Sequence, residues 1–179
     1  NYYPAQYAPY RLAEGSRWQR WNWRYSEGKK VRAVENEVVG QGKALDIGCA
    51  TGDFLDRLRE HGWEVTGVET SEEAAAYGRA RLGLEIITGQ LDDAHFPDSS
   101  FSLVTMWHVL EHLHEPFGTL DEVARITRPG GTLVLAVPDP DSLEARLFGR
   151  FWAGWDVPRH LHIFSRSLLE QYLNARGWR

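Results

Sequence analysis

From residue 43 onward the chain alternates short apolar runs with amphipathic segments, and this alternation limits its fold more than any other feature. The apolar runs predict five strands, at 44–47, 64–69, 84–88, 101–107 and 132–137. The other periodic segments predict helices at 53–61, 71–82, 117–127 and 165–176. Strands that alternate with helices lie parallel and are joined by right-handed crossovers. The sequence therefore predicts an α/β fold with a doubly wound, mainly parallel sheet.

The segment before this pattern, residues 1–42, is predicted to be a separate N-terminal region. Residues 1–28 are rich in Tyr, Trp and Arg without a clean period, and a helix is predicted at 29–39. Tyr7, Tyr10 and Trp18 are candidates for a lid over a ligand, because aromatic side chains combine apolar area with polar edges. The alternative is that the tryptophans pack against the sheet.

Composition limits the class of protein and its partners. The 179 residues suit one domain, and a net charge of -5 without a long basic run argues against nucleic acid as the main partner. No apolar run has the length of a membrane span, and no signal-peptide order is seen at the N-terminus. The single cysteine, Cys49, excludes an internal disulfide. A cytoplasmic protein is therefore expected.

The sequence ALDIGCATGDF at 44–54 predicts a tight turn between the first strand and the next helix. Gly48 and Gly52 permit torsions that other residues avoid. Asp46 and Asp53 flank the turn, whereas dinucleotide sites use G-x-G-x-x-G with a pyrophosphate over the helix N-terminus. Carboxylates would repel a pyrophosphate but not a sulfonium or ammonium group, which disfavours a nicotinamide-dependent oxidoreductase. A turn without any ligand is the alternative.

Glu69, the last residue of the second predicted strand, is a candidate for binding a sugar. An acid at this place can accept hydrogen bonds from both ribose hydroxyls of an adenosine-containing ligand. An ordinary solvated carboxylate at a strand end is the other interpretation.

With these motifs in place, the sequence resembles the class I S-adenosylmethionine (SAM)-dependent methyltransferases, in particular bacterial members that act on small molecules or glycans. The resemblance covers about residues 43–178, through the blocks LDIGCATGDFL, VTGVETS, ITGQLDDAHFPDSSFSLV, HVLEHLHEP and RITRPGGTLVLAVP. It implies a Rossmann-like fold, SAM as the cofactor and methyl transfer as the activity.

The resemblance also implies roles for individual residues. Glu69 would bind the ribose with Thr70 beside it, Gln90 and Leu91 would contact adenine, and His108 would form the floor near the methionine moiety and the acceptor. The residues implied to surround the methionine part are Asp46, Gly48, Cys49, Ala50 and Gly52. Two of the residues with implied roles differ from the family pattern: Ala50 replaces a glycine, and Gln90 replaces a common aspartate.

The segment HVLEHLH has the spacing of a metal site, with His108, Glu111, His112 and His114 close together in sequence. The resembling family has the V-L-E-H sequence without a metal, where it forms the floor and wall of the cofactor site. No metal site is therefore predicted, and His112 is expected to bond to nearby backbone.

The segment WDVPRHLHIFS at 155–165 is a candidate for the acceptor side. Arg159, His160 and His162 could face the crevice, or the segment could be a loop packed by its aromatic residues. If the acceptor is a hydroxyl, a base must remove its proton, and histidine titrates in the useful range. His108, His160 and His162 are the candidates.

The predicted function is transfer of a methyl group from SAM to a small-molecule or glycan-type acceptor, on oxygen. The alternative is a non-catalytic domain that binds or senses SAM. The resemblance implies two further strands beyond residue 179, so the methyltransferase domain at 43–179 is expected to be incomplete at its C-terminus. An exposed fifth strand would then favour a homodimer.

Overall fold

Helix α1 (Arg17–Glu37) precedes the sheet and begins earlier than the sequence pattern predicts. The computed structural model describes residues 17–38 and 41–178, with side chains for 26–38 and 41–178. Val31 and Val34 are fully buried against α2 and the sheet, so the described half of α1 is part of the core. Tyr7, Tyr10 and the side chain of Trp18, the proposed lid residues, lie outside this description.

The described part of the chain forms one sheet of parallel strands. These are β1 (Lys43–Ile47), β2 (Glu64–Glu69), β3 (Glu85–Thr88), β4 (Phe101–Trp107) and β5 (Thr127–Ala136). The strand order is β3-β2-β1-β4-β5. The chain winds outward from β1 to β3 and then crosses to the other side of β1 for β4. This confirms the doubly wound fold and places a crevice at the carboxyl ends of β1 and β4.

Helices cover both faces of the sheet. They are α2 (Asp53–Glu60), α3 (Glu72–Leu82), α4 (Pro116–Ile126), α5 (Leu143–Phe148) and α6 (Arg166–Asn174). Ala44 of β1 packs with α1 and α2 in one buried cluster, whereas the next residue, Leu45, packs with α4 and α6 in another. Successive residues of a strand point to opposite faces, so β1 contributes to both core layers.

Two elements differ from the sequence prediction. Strand β5 starts at Thr127 instead of residue 132, because Thr127 pairs with Phe101 and the register then shifts before Thr132 pairs with Leu103. Helix α5 was not predicted at all; five of its six residues are exposed, and its sequence shows no clear apolar period. No helix within 17–38 and 41–178 has the length and apolar composition that a membrane crossing requires.

Candidate active site

The turn between β1 and α2 brings main chain to the carboxyl edge of the sheet. Gly48 has a φ of 71°, and a Cβ there would lie 2.5 Å from Cγ2 of Val109, so both its torsion and its surroundings require glycine. Ala50 also has a positive φ, of 49°. An L-residue in this region costs roughly 1–2 kcal/mol. The alanine that departs from the family pattern is accommodated, but in a strained conformation.

Gly52 serves packing in this turn instead of lining the crevice. A Cβ at Gly52 would meet Cδ1 of Leu84 at 2.5 Å, on the side of the core. The backbone amides of Gly48 and Cys49 donate to the carbonyl oxygen of Val68, at 2.8 and 3.2 Å. The turn is therefore fastened to β2 by main-chain bonds.

Asp46 is held by β4, not by the amides of the turn. It is 3% exposed, and its Oδ1 accepts a hydrogen bond of 2.6 Å from Oγ1 of Thr105. Burial raises the pKa of Asp46 to about 7, opposed by the Thr105 hydrogen bond and the charge of Lys30. A cationic ligand group in the crevice would favour the ionised form of this carboxyl.

Glu69 joins two loops at the carboxyl end of β2. Its Oε2 accepts from the backbone N–H of Ala50 at 2.9 Å, and its Oε1 accepts from that of Ser71 at 2.8 Å. The side chain is thus fixed in place. Its Oε1 also accepts a weak bond of 3.4 Å from Oγ1 of Thr70, whereas Oε2 keeps a second lone pair for a ligand hydroxyl. The solvated carboxylate considered from sequence is wrong, because Glu69 is 8% exposed.

Gln90 and Leu91 follow β3 at the far end of the same crevice. Leu91 is buried, and the backbone N–H of Gln90 donates to Oδ2 of Asp93 at 2.8 Å. This bond closes the start of a short 3-10 helix at Leu91–Ala94. The segment offers an apolar wall with a polar side chain beside it.

Helix α1 contributes charged groups that the sequence reading missed. Glu27 is 2% exposed and lines the cavity, with Oε1 at 3.0 Å from Nζ of Lys30, while its Oε2 has no hydrogen-bond partner among the described residues. Burial raises the pKa of Glu27, and Lys30 partly offsets this. The Lys30 ammonium also lies 5.3 Å from the ring centroid of Trp107. The sequence did contain a signal for this pair, because Glu27 and Lys30 are three residues apart and in register with the buried valines of α1.

These charges decide what kind of ligand the crevice suits. The carboxyl groups that line it near the turn are Glu27, Asp46, Asp53 and Glu69, with Lys30 as a neighbouring cation. The acids outnumber the cation, and Glu27 has a buried oxygen without a hydrogen bond to any described residue. Such a surface attracts a sulfonium and an ammonium and repels a pyrophosphate. The residues therefore fit SAM better than a dinucleotide.

The opposite end of the crevice is formed by a docked loop. The backbone N–H groups of Leu161 and His162 both donate to the carbonyl oxygen of Glu111, at 2.8 and 3.2 Å. His112 Nδ1 donates to the carbonyl oxygen of Arg159 at 2.9 Å, which is the structural bond expected for this histidine. The loop at 155–165 is thereby tied to the short 3-10 helix Leu110–His112 that follows β4.

The three histidines proposed as bases are placed differently. The side chain of His108 is 64% exposed, with Nδ1 at 3.4 Å from Oε1 of Glu111. His160 is mostly buried, and its Nδ1 donates to the carbonyl oxygen of Gly154 at 2.7 Å. His162 does not line the cavity. Its ring packs against that of Phe164, with the two ring centroids 5.8 Å apart.

One cavity of about 950 Å³ connects the two ends. Of the predicted site residues, Gly52 and His162 are outside its lining. Those that line it are Asp46, Gly48, Cys49, Ala50, Glu69, Thr70, Gln90, Leu91, His108 and His160. Its volume is at the upper end of the range for small-molecule sites, so two ligands side by side would fit.

Comparison with known proteins agrees with this geometry. A sequence-family model described as a methyltransferase domain matches residues 14–179. The ubiquinone biosynthesis O-methyltransferase of Stutzerimonas stutzeri (strain A1501) is 27% identical over 174 residues, which cover 87% of this chain and 75% of that protein. The demethylmenaquinone methyltransferase of Staphylococcus saprophyticus is 31% identical over 141 residues, or 74% of this chain and 60% of that protein.

Solved structures show the same fold. A SAM-dependent methyltransferase of Thermotoga maritima, described as a possible histamine N-methyltransferase, has a TM-score of 0.68 at 25% identity and covers 89% of this chain and 75% of its own. A SAM-dependent methyltransferase of Archaeoglobus fulgidus has a TM-score of 0.73 at 23% identity, and the match covers 87% of this chain and 69% of that one. Because the family match spans almost the whole chain and the sheet order agrees with it, this chain belongs to the class I SAM-dependent methyltransferases.

Proposed function

We propose that this protein transfers the methyl group of SAM to a hydroxyl oxygen of a small-molecule acceptor. The proposal rests on the single cavity that joins the acid-lined turn to the histidine-bearing loop. A methyl donor and an acceptor must lie side by side for direct transfer, and a shared cavity supplies that arrangement.

The acid-lined end would hold the cofactor. Asp46 and Glu27 offer carboxyl oxygens for the ammonium group of the methionine moiety, and Lys30 offers a cation for its carboxylate. Glu69, already fixed by two backbone amides, would accept the ribose hydroxyls. Gln90 would bond to the adenine amino group. These roles follow from charge and position along the cavity.

The histidine-bearing end would hold the acceptor. SAM supplies an electrophilic methyl group whose departure leaves a neutral thioether. His108 would take the proton from the acceptor hydroxyl. This role is supported by its accessible side chain and by the Nδ1 that faces Glu111, which would leave Nε2 as the accepting atom. Arg159, paired with Asp156 at 2.7 Å, lines this end and offers donors to an acceptor oxygen.

The choice of a hydroxyl acceptor is supported by relatives whose names describe O-methylation in ubiquinone biosynthesis. Of these, the protein of Aromatoleum aromaticum is 36% identical over 151 residues, and this chain spans 63% of its length. The glycan-type acceptor remains a variant of the same proposal. Cytoplasmic location, a homodimer and the absence of a nucleic-acid partner also remain predictions.

The test has two stages. Calorimetric titration with S-adenosylhomocysteine and, separately, with NAD should show binding of the first compound alone. Labelled SAM is then offered with panels of phenols, sugars, amines and carboxylic acids, and label should pass to hydroxyl compounds. Transfer to amines or carboxylates alone would contradict the acceptor. Binding without any transfer would favour the sensing domain, and no binding of S-adenosylhomocysteine would contradict both functions.

A further inference from the structure

We propose that Glu111, His112 and His160 form a site for a divalent transition-metal ion at the acceptor end of the cavity. One ligand atom from each of the three side chains lies within 4.8 Å of the other two. Glu111 and His112 belong to the 3-10 helix after β4, whereas His160 comes from the distant docked loop. All three side chains line the cavity.

Glu111 shows the clearest need for a positive partner. The residue is 1% exposed, and neither carboxylate oxygen has a hydrogen-bond partner within the described residues. The nearby Nδ1 of His108 lies 3.4 Å from Oε1, well beyond the roughly 2.7–2.9 Å of a charge-assisted hydrogen bond. A buried carboxylate without hydrogen bonds is unfavourable unless a charge of opposite sign lies beside it. A metal cation between the two histidines would supply that charge.

Both histidines hold their Nδ1 on a backbone carbonyl oxygen. His112 donates its Nδ1 proton to the carbonyl oxygen of Arg159, and His160 donates its own to that of Gly154, at 2.9 and 2.7 Å. A neutral imidazole that is protonated at Nδ1 carries its lone pair on Nε2. Metal-binding histidines typically hold the second ring nitrogen on a backbone carbonyl or carboxylate in this way. Two such rings that converge on one buried carboxylate are a stronger signal than either alone.

The donor set indicates which ions would bind. Two imidazoles and one carboxylate suit Zn²⁺, Co²⁺ or a similar ion, whereas Mg²⁺ and Ca²⁺ prefer oxygen ligands. Metal–ligand bonds of about 2.0–2.2 Å require the three atoms to move inward by roughly 1 Å. With three protein ligands, a further position would face the cavity. Given the proposed methyl transfer, an acceptor oxygen would occupy that position.

The sequence alone did not favour a metal here, because the resembling family has the V-L-E-H segment without a metal and His160 lies far from that segment along the chain. The competing explanation is that the polar contacts merely tie the loop to the 3-10 helix. That explanation accounts for the two Nδ1 hydrogen bonds. It does not account for a carboxylate that is buried without a hydrogen bond to any described residue, at the point where both rings meet.

The test measures metal binding to the full chain, without SAM or acceptor. Protein stripped with a chelator is titrated with Co²⁺ and Zn²⁺ by equilibrium dialysis, and the Co²⁺ absorption spectrum reports nitrogen ligation. We expect one ion per chain. Glu111→Gln keeps the shape of the side chain, and His160→Asn keeps a donor near the Nδ1 position while it removes Nε2. Each should weaken binding at least about tenfold.

His162→Asn is the matched control, since it changes the same loop at a histidine outside the cavity and should leave the affinity unchanged. Circular dichroism shows whether each variant folds. If either Glu111→Gln or His160→Asn fails to fold, the affinity of the other one tests the proposal. Absence of stoichiometric binding to the wild-type chain, or equal affinity in a folded Glu111→Gln variant, would overturn the proposal. Methyl transfer would stand or fall separately, because this assay contains neither of its substrates.

Discussion

Thr105 Oγ1 donates a hydrogen bond of 2.6 Å to Oδ1 of Asp46 and so joins β4 to β1 beside the point where the strand order reverses. Both residues are buried, at 0% and 3% exposure. The bond holds an acidic group inside the sheet edge, close to where the cavity begins. Burial outweighs this single hydrogen bond and raises the pKa of Asp46 to about 7.

Asp46→Asn should flatten the dependence of stability on pH. The folded pKa of about 7 lies above the ordinary aspartate value of 3.8, so Asp46 contributes stability that is complete below about pH 4 and is lost as the pH rises through 7. The loss is on the order of a few kcal/mol. Urea unfolding at pH 5, 6, 7 and 8 should show the wild-type free energy of unfolding falling relative to that of the variant. Asp141→Asn, an exposed exchange, should leave the wild-type profile unchanged, and parallel profiles for Asp46→Asn would refute the assignment.

Gly48→Ala should destabilise the protein more than Gly83→Ala does. Both glycines have positive φ, 71° and 63°, but a Cβ at Gly83 meets nothing within 4 Å whereas one at Gly48 contacts Val109 at 2.5 Å. Backbone strain should cost about 1 kcal/mol at each site, and the clash about 1–3 kcal/mol more at Gly48. Thermal melts and titration with S-adenosylhomocysteine measure both effects. Only Gly48→Ala should also weaken ligand binding.

Glu69→Gln should weaken binding of S-adenosylhomocysteine by about 10- to 100-fold, or roughly 1–3 kcal/mol. The amide nitrogen of glutamine cannot accept a hydrogen bond, so either the ribose or one of the backbone amides of Ala50 and Ser71 loses its acceptor. Calorimetry gives the affinity. Glu73→Gln removes the same charge from the rim of the cavity and serves as the control, with an expected change below about twofold. Unchanged affinity in Glu69→Gln would remove the ribose assignment.

His108→Gln separates the two roles considered for His108. If the histidine takes the proton of the acceptor, kcat should fall by about 10²- to 10⁴-fold while KM for SAM changes little. If it only forms the floor of the cofactor site, KM for SAM should rise and kcat should persist. Steady-state kinetics with an identified hydroxyl acceptor makes the distinction. His162→Gln, outside the cavity, should match the wild type in both parameters.

The regular part of the fold was predictable from sequence because it depends on local periodicity. Strand β1 is a short apolar run, as expected of a strand buried on both faces, and its Ala44 and Leu45 lie in opposite core layers. The start of β5 at Thr127 was not predictable in this way. Pro129 and the two glycines after it predict a break in the strand, but the sheet continues across them through a register shift. Pairing with β4 decided that boundary, and pairing is not local.

The candidate site was likewise predictable from sequence only where it depends on local patterns. The glycine turn was identified because it directly follows a predicted strand, and Glu69 because it ends one, at the edge where parallel sheets bind ligands. Glu27 was missed, since its approach to the cavity depends on how α1 packs. The meeting of Glu111 with His160 depends on the path of a loop without any repeat, so no spacing rule could predict it. For the same reason the three candidate histidines could not be ranked before their surroundings were known.

The docked loop is held to the carbonyl oxygen of Glu111 through the main-chain N–H groups of Leu161 and His162. Peptide groups make these bonds, so the position of the loop does not depend on the identity of either side chain. Among the side chains of this loop, that of Arg159 lines the cavity, so substitutions at 159 can reshape what the protein accepts without breaking these main-chain bonds. Within such a scaffold, new substrate preferences would arise by exchange of side chains on a fixed backbone, while the cofactor end stays untouched.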